Sequence, residues 1–399
     1  MAENKDKKVL NVPNLRFPEF EGEWEKCKVG DFGKIITGNT PPTKDIENYE
    51  NGQYLWVSPA DLGLLKSITE TKTKLSKKGF DKTRALPAGS VLVTCIGSTI
   101  GKMGMTTRET STNQQINAIV VNKSNNNEFV YYAVQSAFPK YLSSIAVQAV
   151  PIISKSSFEL LPNYRPSIQE QEKIGRLFAL LDERIATQSK IIEDLKKLKS
   201  TIIDYAIGSL DTNFMKFGSV YETAREGGTP TTSNTSFYNN GKIPFIKIGD
   251  LKQKYLIENK DFITELGLQK SSAWLVPTHS ILFSNGATIG EITITTYPVC
   301  TKQGILGIVP KANIDVEFLY YFMSSSYFKK AVSRIITEGT MKTAYLRNID
   351  NILCPIPTKE KQLKIAKVPS ALNLKIDSEQ SILRLLYAQK RYLLHQMFR

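Results

Sequence analysis

The chain contains a tandem internal duplication. GNTPPT at 38–43 recurs, with two substitutions, as GGTPTT at 227–232. The same offset relates three further pairs: TIG at 99–101 and 288–290, Gln114 and Gln303, and EFVYY at 128–132 and EFLYY at 317–321. Because this period is close to half of the chain and far longer than that of a solenoid repeat, each copy is a domain-sized unit.

Each copy has the same internal order, a β-rich stretch followed by a long helix. Short apolar runs such as VLVT at 91–94 and ILFS at 281–284 are separated by Gly, Pro and Asn, a pattern typical of strands and turns. The 399 residues suffice for two separate cores. We therefore predict an α+β fold with a β-rich domain at 1–165, a helix at 166–209, a second β-rich domain at 210–356 and a helix at 357–399.

The two predicted helices carry apolar residues at steps of mostly three and four, the pattern of a coiled-coil seam. The first seam comprises Phe178, Leu181, Ile185, Ile192, Leu195, Leu198, Ile202 and Tyr205. The second comprises Ile365, Val368, Leu372, Ile376, Leu383, Leu386, Leu393 and Met397. The alternative is two unrelated helices, each packed on its own domain. Their length favours pairing, because helices in globular domains average about 11–12 residues.

Local signals predict where the helices begin and where one is interrupted. Ser167, followed three residues later by Glu170, resembles a capping box. Pro369 occupies the position that Phe178 has in the first helix. Because a proline inside a helix costs about 3 kcal/mol, we expect the second helix to be interrupted near Val368 and to run from about Ser370.

The charge of the chain indicates a polyanionic partner. Its 52 basic and 38 acidic residues give a formal net charge of +14. Nucleic acid is the commonest partner for such an excess, and a membrane surface is the rival. No run approaches the roughly 18–20 apolar residues of a membrane-spanning helix. The amino-terminal MAENKDKK also lacks the apolar stretch of a secretory signal. We therefore expect a cytoplasmic protein that does not contact membranes.

The cysteines are interpreted as reduced thiols packed as small apolar side chains. Cys27, Cys95, Cys300 and Cys354 are far apart in the sequence, and the two histidines lie at His279 and His395. A zinc site requires three or four clustered ligands, so we predict no metal site.

The duplicated pattern resembles the specificity subunits of type I restriction–modification systems. The matching segments are RPSIQEQEKIGRLFALLDERI, which begins at Arg165, and IPTKEKQLKIAKVPSALNLKI, which begins at Ile356. Each contains a Pro-x-x-x-x-Gln-x-x-Ile motif. The GNTP and GGTP turns and the TIGK and TIGE loops fit the target-recognition domains of that family. The resemblance covers roughly residues 24–399.

The resemblance implies a division of labour. Each target-recognition domain would read one half of a split, asymmetric site in double-stranded DNA. The two helices, paired antiparallel about a pseudo-two-fold axis, would fix the distance between the halves. They would also dock two methyltransferase subunits, and restriction–translocation subunits can join that assembly. No cofactor is implied for this chain, since S-adenosylmethionine is bound by the methyltransferase partner.

Two other functions remain open at this point. A stand-alone DNA-modifying enzyme would need its own catalytic groups, yet Pro41-Pro42 lacks the neighbours of an amino-methyltransferase tetrapeptide. GSTIGK at 97–102 is one residue too short for a phosphate-binding loop and is interpreted as a turn. The second alternative is a coiled-coil scaffold that binds proteins without sequence-specific DNA binding. Measuring duplex binding distinguishes the scaffold from the family function.

Candidates for DNA contacts are cationic residues in exposed loops, because Lys and Arg bind phosphates and read base edges. In the first copy they are Lys44, Lys72, Lys74, Lys77, Lys78, Arg84 and Lys102. In the second copy they are Lys247, Lys252, Lys254, Lys270, Lys302 and Lys342. The run Asn113, Gln114, Gln115 and Asn117 alternates through a predicted strand and is interpreted as sheet structure.

Overall fold

The computed structural model describes residues 11–63, 65–143, 151–286, 288–336 and 342–398. It divides into two compact units, which we call unit 1 (residues 1–189 and 381–399) and unit 2 (residues 190–380). Both boundaries cut a long helix, so each unit contains part of both long helices. The expectation that MAENKDKK is not a secretory signal falls outside the described residues.

Unit 1 contains the first β-rich domain. Its strands are β1 (Glu25–Lys28), β2 (Gly33–Thr37), β3 (Tyr54–Val57), β4 (Ser67–Ile68), β5 (Thr73–Leu75), β6 (Val91–Thr94), β7 (Met103–Thr106), β8 (Ser111–Thr112), β9 (Ile116–Val121) and β10 (Pro162–Arg165). Its helices are α1 (Lys77–Phe80), α2 (Asn127–Ser143), α3 (Lys155–Glu159) and the first part of α4 (Ile168–Gly208). The strands form a five-stranded sheet in the order β2-β9-β6-β7-β4, a three-stranded sheet β5-β3-β8 and the pair β1-β10.

The central strand β6 explains why the sequence VLVT is apolar throughout. Alternate residues of a strand point to opposite faces of a sheet. Val91 and Val93 lie in the core that α2 covers, whereas Leu92 lies in a second core with Val57 and Leu62. Both faces of the sheet are therefore buried, and a strand buried on both faces has a continuous apolar sequence.

Unit 2 repeats this architecture. Its strands are β11 (Phe214–Lys216), β12 (Tyr221–Glu226), β13 (Ile243–Ile246), β14 (Tyr255–Leu256), β15 (Asp261–Ile263), β16 (Ile281–Ser284), β17 (Ile292–Thr295), β18 (Cys300–Thr301), β19 (Ile305–Pro310) and β20 (Leu353–Pro355). Its helices are α5 (Glu265–Gln269), α6 (Val316–Ser324), α7 (Ser326–Ile335), α8 (Leu346–Ile349) and part of α9 (Lys359–Met397). The sheet orders β12-β19-β16-β17-β14, β15-β13-β18 and β11-β20 match those of unit 1 strand for strand. The prediction of two tandem β-rich domains, each followed by a long helix, is confirmed.

The glutamine of the Pro-x-x-x-x-Gln motif ties each long helix to the β-rich domain before it. Gln171 accepts a hydrogen bond from the Asn126 N–H at 3.0 Å and donates to the carbonyl of the motif's own proline at 3.1 Å. Gln362 accepts from the Asp315 N–H at 2.7 Å and donates to its own motif proline at 2.8 Å. Both glutamines are 1% exposed. The motif therefore seats α4 beside the start of α2, and α9 beside the start of α6.

In unit 1, α4 and the end of α9 pack in antiparallel directions. Phe178 lies beside Phe398, with ring centroids 5.6 Å apart, and Lys390 donates to Asp182 at 2.5 Å. Successive contacts along α4 therefore involve residues of decreasing number in and just after α9, as expected for antiparallel helices. The apolar cluster between the two helices comprises the predicted seam residues Leu181, Ile185, Leu383, Leu386 and Leu393.

Other predicted seam residues lie elsewhere. Phe178 is buried in the core of the first β-rich domain, where it also packs on Phe398 at the end of α9. In unit 2, Ile192 and Ile376 are buried, whereas Leu195, Ile202 and Leu372 are partly exposed. The assignment of Leu198, Tyr205 and Val368 to the seam is wrong, because they are 47%, 77% and 51% exposed. The second half of α4 instead buries Ile203 and Ile207, which enter the core of the second β-rich domain.

The predicted interruption of the second helix is also wrong. Helix α9 is continuous from Lys359 to Met397 with Pro369 inside it. Proline removes one backbone donor at a cost of about 3 kcal/mol, but packing on both sides of it opposes a break. Ala366 and Ile376 are 3% exposed, and the hydroxyl of Ser370 bonds to Glu317.

Half of the predicted capping box forms. The Ser167 hydroxyl accepts from the Glu170 N–H at 3.4 Å. The Glu170 carboxylate is 1% exposed and does not close the box, because it binds the Arg16 guanidinium at 2.7 Å and accepts from the Trp24 indole at 3.3 Å. A tertiary ion pair therefore replaces the local contact.

All four cysteines are buried as free thiols. Burial raises the pKa of Cys95 to about 12 and of Cys300 to about 11. Since the thiolate is the reactive form, these thiols are poor nucleophiles at neutral pH. Within the described ranges, no helix is both long enough and apolar enough to cross a lipid bilayer.

Replacing Phe178 with alanine should strongly destabilise unit 1. The side chain is 0% exposed and packs on Tyr132 and Phe398, so the cavity should lower the free energy of unfolding by about 3–5 kcal/mol. Tyr205→Ala on the same helix is the control and should change it by less than about 0.5 kcal/mol. Urea denaturation measures both. Equal midpoints for the two variants would contradict the packing described for Phe178.

Candidate nucleic-acid interface

The repeated Gly-x-Thr-Pro turn packs against the same strand end in both units. A Cβ atom on Gly38 would lie 2.2 Å from the carbonyl oxygen of Thr112, at the end of β8. A Cβ atom on Gly227 would lie 2.3 Å from the carbonyl oxygen of Thr301, at the end of β18. Glycine is therefore required at both positions for the turn to approach the backbone of the neighbouring strand.

This approach brings together two segments that are distant in the sequence. In unit 1, the Thr40 hydroxyl donates to Gln114 Oε1 at 2.5 Å. In unit 2, the Thr229 hydroxyl accepts from the backbone N–H of Gln303 at 3.3 Å. Both pairs are separated by 74 residues. We call the turn and the glutamine loop of each unit its recognition loops.

In unit 2 the recognition loops border a basic cleft of about 380 Å³. Its lining includes three predicted DNA-binding residues together with the polar groups of the loops: Lys247, Lys302, Lys342, Thr229 and Gln303. The loops after β12, β13, β16 and β18 contribute to it, which explains why sequence positions far apart converge. Glu226 also lines the cleft, and its carboxylate accepts from the Gly304 N–H at 2.9 Å.

In unit 1, Arg84 braces the corresponding turn. Its guanidinium donates to the Thr37 carbonyl at 2.7 Å, and its backbone N–H donates to Asn39 Oδ1 at 3.0 Å. The Trp56 indole donates to the Asn39 carbonyl at 3.1 Å. Arg84 remains exposed at the turn that it supports.

Several predicted lysines contact carboxylates. Lys74 lies 2.7 Å from Glu70, Lys77 lies 2.7 Å from Asp81, Lys247 lies 2.8 Å from Asp261, and Lys78 contacts Glu47. The hydrogen bonds to these partners raise the pKa of Lys77 and Lys78, so both remain cationic at neutral pH. Surface ion pairs are weak, and each lysine can therefore exchange its carboxylate for a phosphate.

The remaining predicted cations except one lie on the surface. Lys44, Lys72, Lys102, Lys252, Lys270, Lys302 and Lys342 are exposed. The exception is Lys254, whose side chain is 2% exposed; its ammonium lies 3.0 Å from Glu317 and donates to Ser370 at 3.0 Å. The prediction that Lys254 contacts DNA is wrong, because its charge is used inside the protein.

The Asn/Gln run separates into structural and exposed residues. Asn113 and Asn117 are 7% and 3% exposed, and Asn117 accepts from the Thr37 hydroxyl at 2.7 Å. Gln114 is exposed. Sequence reasoning used Gln114 and Gln303 as markers of the repeat and did not assign them to the site. The signal that could have identified them is their constant separation from the Gly-x-Thr-Pro threonines.

The arrangement suits a polyanion that also carries hydrogen-bonding groups. Lysine, arginine and threonine groups bind phosphate oxygens, whereas glutamine can pair with base edges in the major groove. Both kinds of group occur at the recognition loops of each unit. This combination of positioning and reading groups is typical of a sequence-specific nucleic-acid interface.

Comparison with known proteins identifies the same duplication. A family model described as the type I restriction modification DNA specificity domain matches residues 21–197 and again residues 210–386. The MjaIX specificity subunit of a type I restriction enzyme from Methanocaldococcus jannaschii is 24% identical over 363 residues, which cover 84% of this chain and 83% of that protein.

Solved structures share the fold. The crystal structure of a type I restriction–modification S subunit from M. genitalium has a TM-score of 0.60 and 16% identity, covering 97% of this chain and 99% of that chain. A chain from a structure of type I restriction–modification complex assembly has a TM-score of 0.59 and 14% identity, covering 94% of this chain and 97% of that chain.

Removing cleft lysines should weaken DNA binding in a salt-dependent manner. Lys302→Ala and Lys342→Ala should each reduce the slope of log affinity against log salt by about 1, since each loses one phosphate contact. Lys330→Ala, an exposed lysine on α7, is the control and should leave the slope unchanged. Fluorescence anisotropy with duplex DNA at several salt concentrations measures it. An unchanged slope for both cleft variants would place the DNA elsewhere.

Proposed function

The chain belongs to the type I restriction–modification DNA specificity family, and from this we propose that it is the specificity subunit of such a complex. It reads a bipartite, asymmetric site in double-stranded DNA and directs methyltransferase and restriction subunits to that site. The observation that carries this proposal is the same pair of recognition loops in two units with the same sheet topology. Two equivalent loop pairs in one chain suit two half-sites.

Differences between the loops support unequal half-sites. Lys247 and Lys302 line the unit 2 cleft. At the equivalent positions of the repeat, unit 1 has Ser58 and Asn113. Replacing two cations by neutral side chains changes both the phosphate contacts of the protein and its hydrogen bonds to base edges. The two β-rich domains therefore read different sequences.

The β-rich domains should act as independent modules. Replacing residues 213–356 with the corresponding segment of a relative should change one half-site and leave the other intact, because each domain has its own core and loops. The reciprocal replacement of residues 24–165 is the matched control and should change the other half-site. Methylation mapping in a host that expresses the chimera with its methyltransferase subunit provides the measurement. Scrambling of both halves by one replacement would mean that the domains do not read independently.

We assign the chemistry to the partner subunits. The Gly97–Lys102 loop that resembles a phosphate-binding motif uses its amides internally: the N–H groups of Gly97, Gly101 and Lys102 donate to carbonyls at 3.0, 2.9 and 3.1 Å. A phosphate-binding loop needs such N–H groups directed at the ligand. From the family to which the chain belongs, S-adenosylmethionine is expected on the methyltransferase subunit, which performs the methyl transfer.

Each unit has an exposed apolar stripe on a long helix. In unit 2, α4 exposes Ile191, Leu198 and Tyr205 at heptad spacing, with exposures of 39%, 47% and 77%. In unit 1, α9 exposes Leu385 and Tyr392, also at heptad spacing, with exposures of 69% and 61%. A heptad is close to two helical turns, so each set lies on one face. A stripe of this kind in each unit fits two copies of a methyltransferase subunit, each docking through apolar contacts.

Charges placed in one stripe should remove one methyltransferase subunit. Leu198→Glu combined with Tyr205→Glu should change the stoichiometry from two methyltransferase subunits per chain to one, because the interface would bury unpaired carboxylates. Ser200→Glu, an exposed position on the same helix, should leave two. Native mass spectrometry of the reconstituted complex gives the count.

The same reconstitution supplies the activity control. The chain alone, incubated with S-adenosylmethionine and DNA, should transfer no methyl groups, whereas the complex should. Retention of both subunits by the doubly charged variant would reject the stripe as the docking surface. Methyl transfer by the chain alone would reject the assignment of the chemistry to its partners.

A further inference from the structure

A partly buried polar cluster joins the β-rich domain of unit 1 to the long helices. Lys66 lies 2.7 Å from Glu128 and donates to the Tyr132 hydroxyl at 3.2 Å. Tyr132 donates to Asp182 of α4 at 2.5 Å, and Lys390 of α9 donates to the other oxygen of Asp182 at 2.5 Å. We call these five residues the unit 1 junction. They link a loop, α2, α4 and α9 through direct polar contacts.

Unit 2 has a corresponding cluster. Lys254 lies 3.0 Å from Glu317 of α6 and donates to Ser370 of α9 at 3.0 Å. The Tyr321 and Ser370 hydroxyls are 3.1 Å apart, and Ser370 also donates to Glu317. We call these four residues the unit 2 junction. The helix that leaves each β-rich domain, α4 in unit 1 and α9 in unit 2, supplies the hydroxyl or carboxylate partner.

The two junctions occupy equivalent positions in the duplication. Their glutamates and their tyrosines are related by the constant offset of the repeat, and their lysines differ from it by a single position. In each, the lysine ammonium also lies over the tyrosine ring, 5.3 Å from the centroid for Lys66 and 4.8 Å for Lys254. The lysine side chains are only 12% and 2% exposed, so neither lysine can serve as a DNA contact.

The polar contacts of the junctions are better suited to fixing the orientation of a β-rich domain on its helices than to stabilising the fold. Apolar packing is non-directional and permits small rotations of a domain on a helix. Hydrogen bonds require a narrow range of distances and angles. A charged network that is partly buried is a weak source of stability, because desolvation offsets much of the Coulomb attraction. A network of this kind at the same joint in both units therefore supplies a fixed orientation.

We propose that Lys66 and Lys254 are positioning residues that fix the angle of each β-rich domain on its long helices, and thereby set the half-site gap that the protein accepts. This proposal rests on the proposed function, since a gap exists only if two half-sites are read. The lysines act through the helices and touch no base. Their loss should therefore alter the accepted gap while the bases read in each half-site stay the same.

The first test measures orientation in the absence of DNA. Spin labels at Lys34→Cys on β2 and Ala186→Cys on α4 report the distance between the β-rich domain and the helix within unit 1; both positions are exposed. The native thiols are buried, which restricts labelling to the introduced cysteines. Lys66→Met should broaden the distance distribution measured by pulsed electron spin resonance. Lys155→Met, which breaks a surface pair with Glu159, should leave it narrow.

A second variant keeps the proposal testable if the Lys66→Met protein does not fold. Lys390→Met removes the contact to Asp182 from the opposite helix and should broaden the same distribution. Lys66→Met combined with Glu128→Gln should broaden it no further than Lys66→Met alone, because the two residues act together. Circular dichroism confirms that each variant is folded. Narrow distributions in folded Lys66→Met and Lys390→Met proteins would overturn the proposal.

The second test measures the accepted gap. Methylation mapping of complexes that carry Lys66→Met or Lys254→Met should show the wild-type half-sites with lower discrimination against gaps one base pair longer or shorter. We expect a loss of about tenfold, a size typical for one coupled contact. A strict wild-type gap in both variants would overturn the proposal. If the wild-type complex methylates no bipartite site, the proposed function fails, whereas the spin-label experiment still decides the role of the junction.

Discussion

Burial of a helix end in each β-rich domain is the contact on which the rest of the structure depends. In unit 2, Ile203 and Ile207 near the end of α4 lie in the main core of the domain. In unit 1, Met397 and Phe398 at the end of α9 occupy the corresponding core, where Phe398 packs on Trp24 at 6.3 Å between ring centroids. Burying one such side chain contributes about 1.5–3 kcal/mol. Neither domain can therefore release its helix end without exposing part of its own core.

The two units hold this helix end in different ways. In unit 2, α4 leads through a short segment directly into β11, so the helix end is linked covalently to the domain it fills. In unit 1, residues 11–24 hold the end of α9 by contacts: the Leu15 N–H donates to the Gln396 carbonyl at 2.9 Å, and Trp24 covers Phe398. In unit 1, noncovalent contacts thus hold the helix end that the peptide chain itself holds in unit 2. This explains why Arg16 and Glu170 form a buried ion pair in unit 1, since that pair fastens the same segment to α4.

The duplication made the fold predictable, because residues with structural roles recur at a constant offset. The predictions that were wrong concern residues whose structure depends on tertiary contacts. Pro369 breaks an isolated helix, but packing of its neighbours keeps α9 continuous. Lys254 has the sequence context of a surface lysine, and its partner Glu317 is distant in the sequence. Beyond Ile192 two faces of α4 are apolar, and periodicity cannot choose between them. The cations of the candidate site remain a prediction from the sequence, and most of them lie on the surface. The contact of Gln114 with Thr40 could not be predicted, because it depends on chain folding.

The contrast between the buried and exposed positions explains how one scaffold can carry two different recognition surfaces. Glu128 and Glu317 retain their chemistry in both copies, as do Gln171 and Gln362, because each satisfies buried donors or acceptors. Replacing such a group leaves a buried partner unpaired, which costs about 1–3 kcal/mol. Exposed loop positions carry no comparable penalty, since surface substitutions usually change stability by less than about 0.5 kcal/mol. Exposed residues at equivalent positions of the repeat, such as Lys44 and Ser233, can therefore differ freely. Changes in what each domain reads are in this way separated from changes in how it folds.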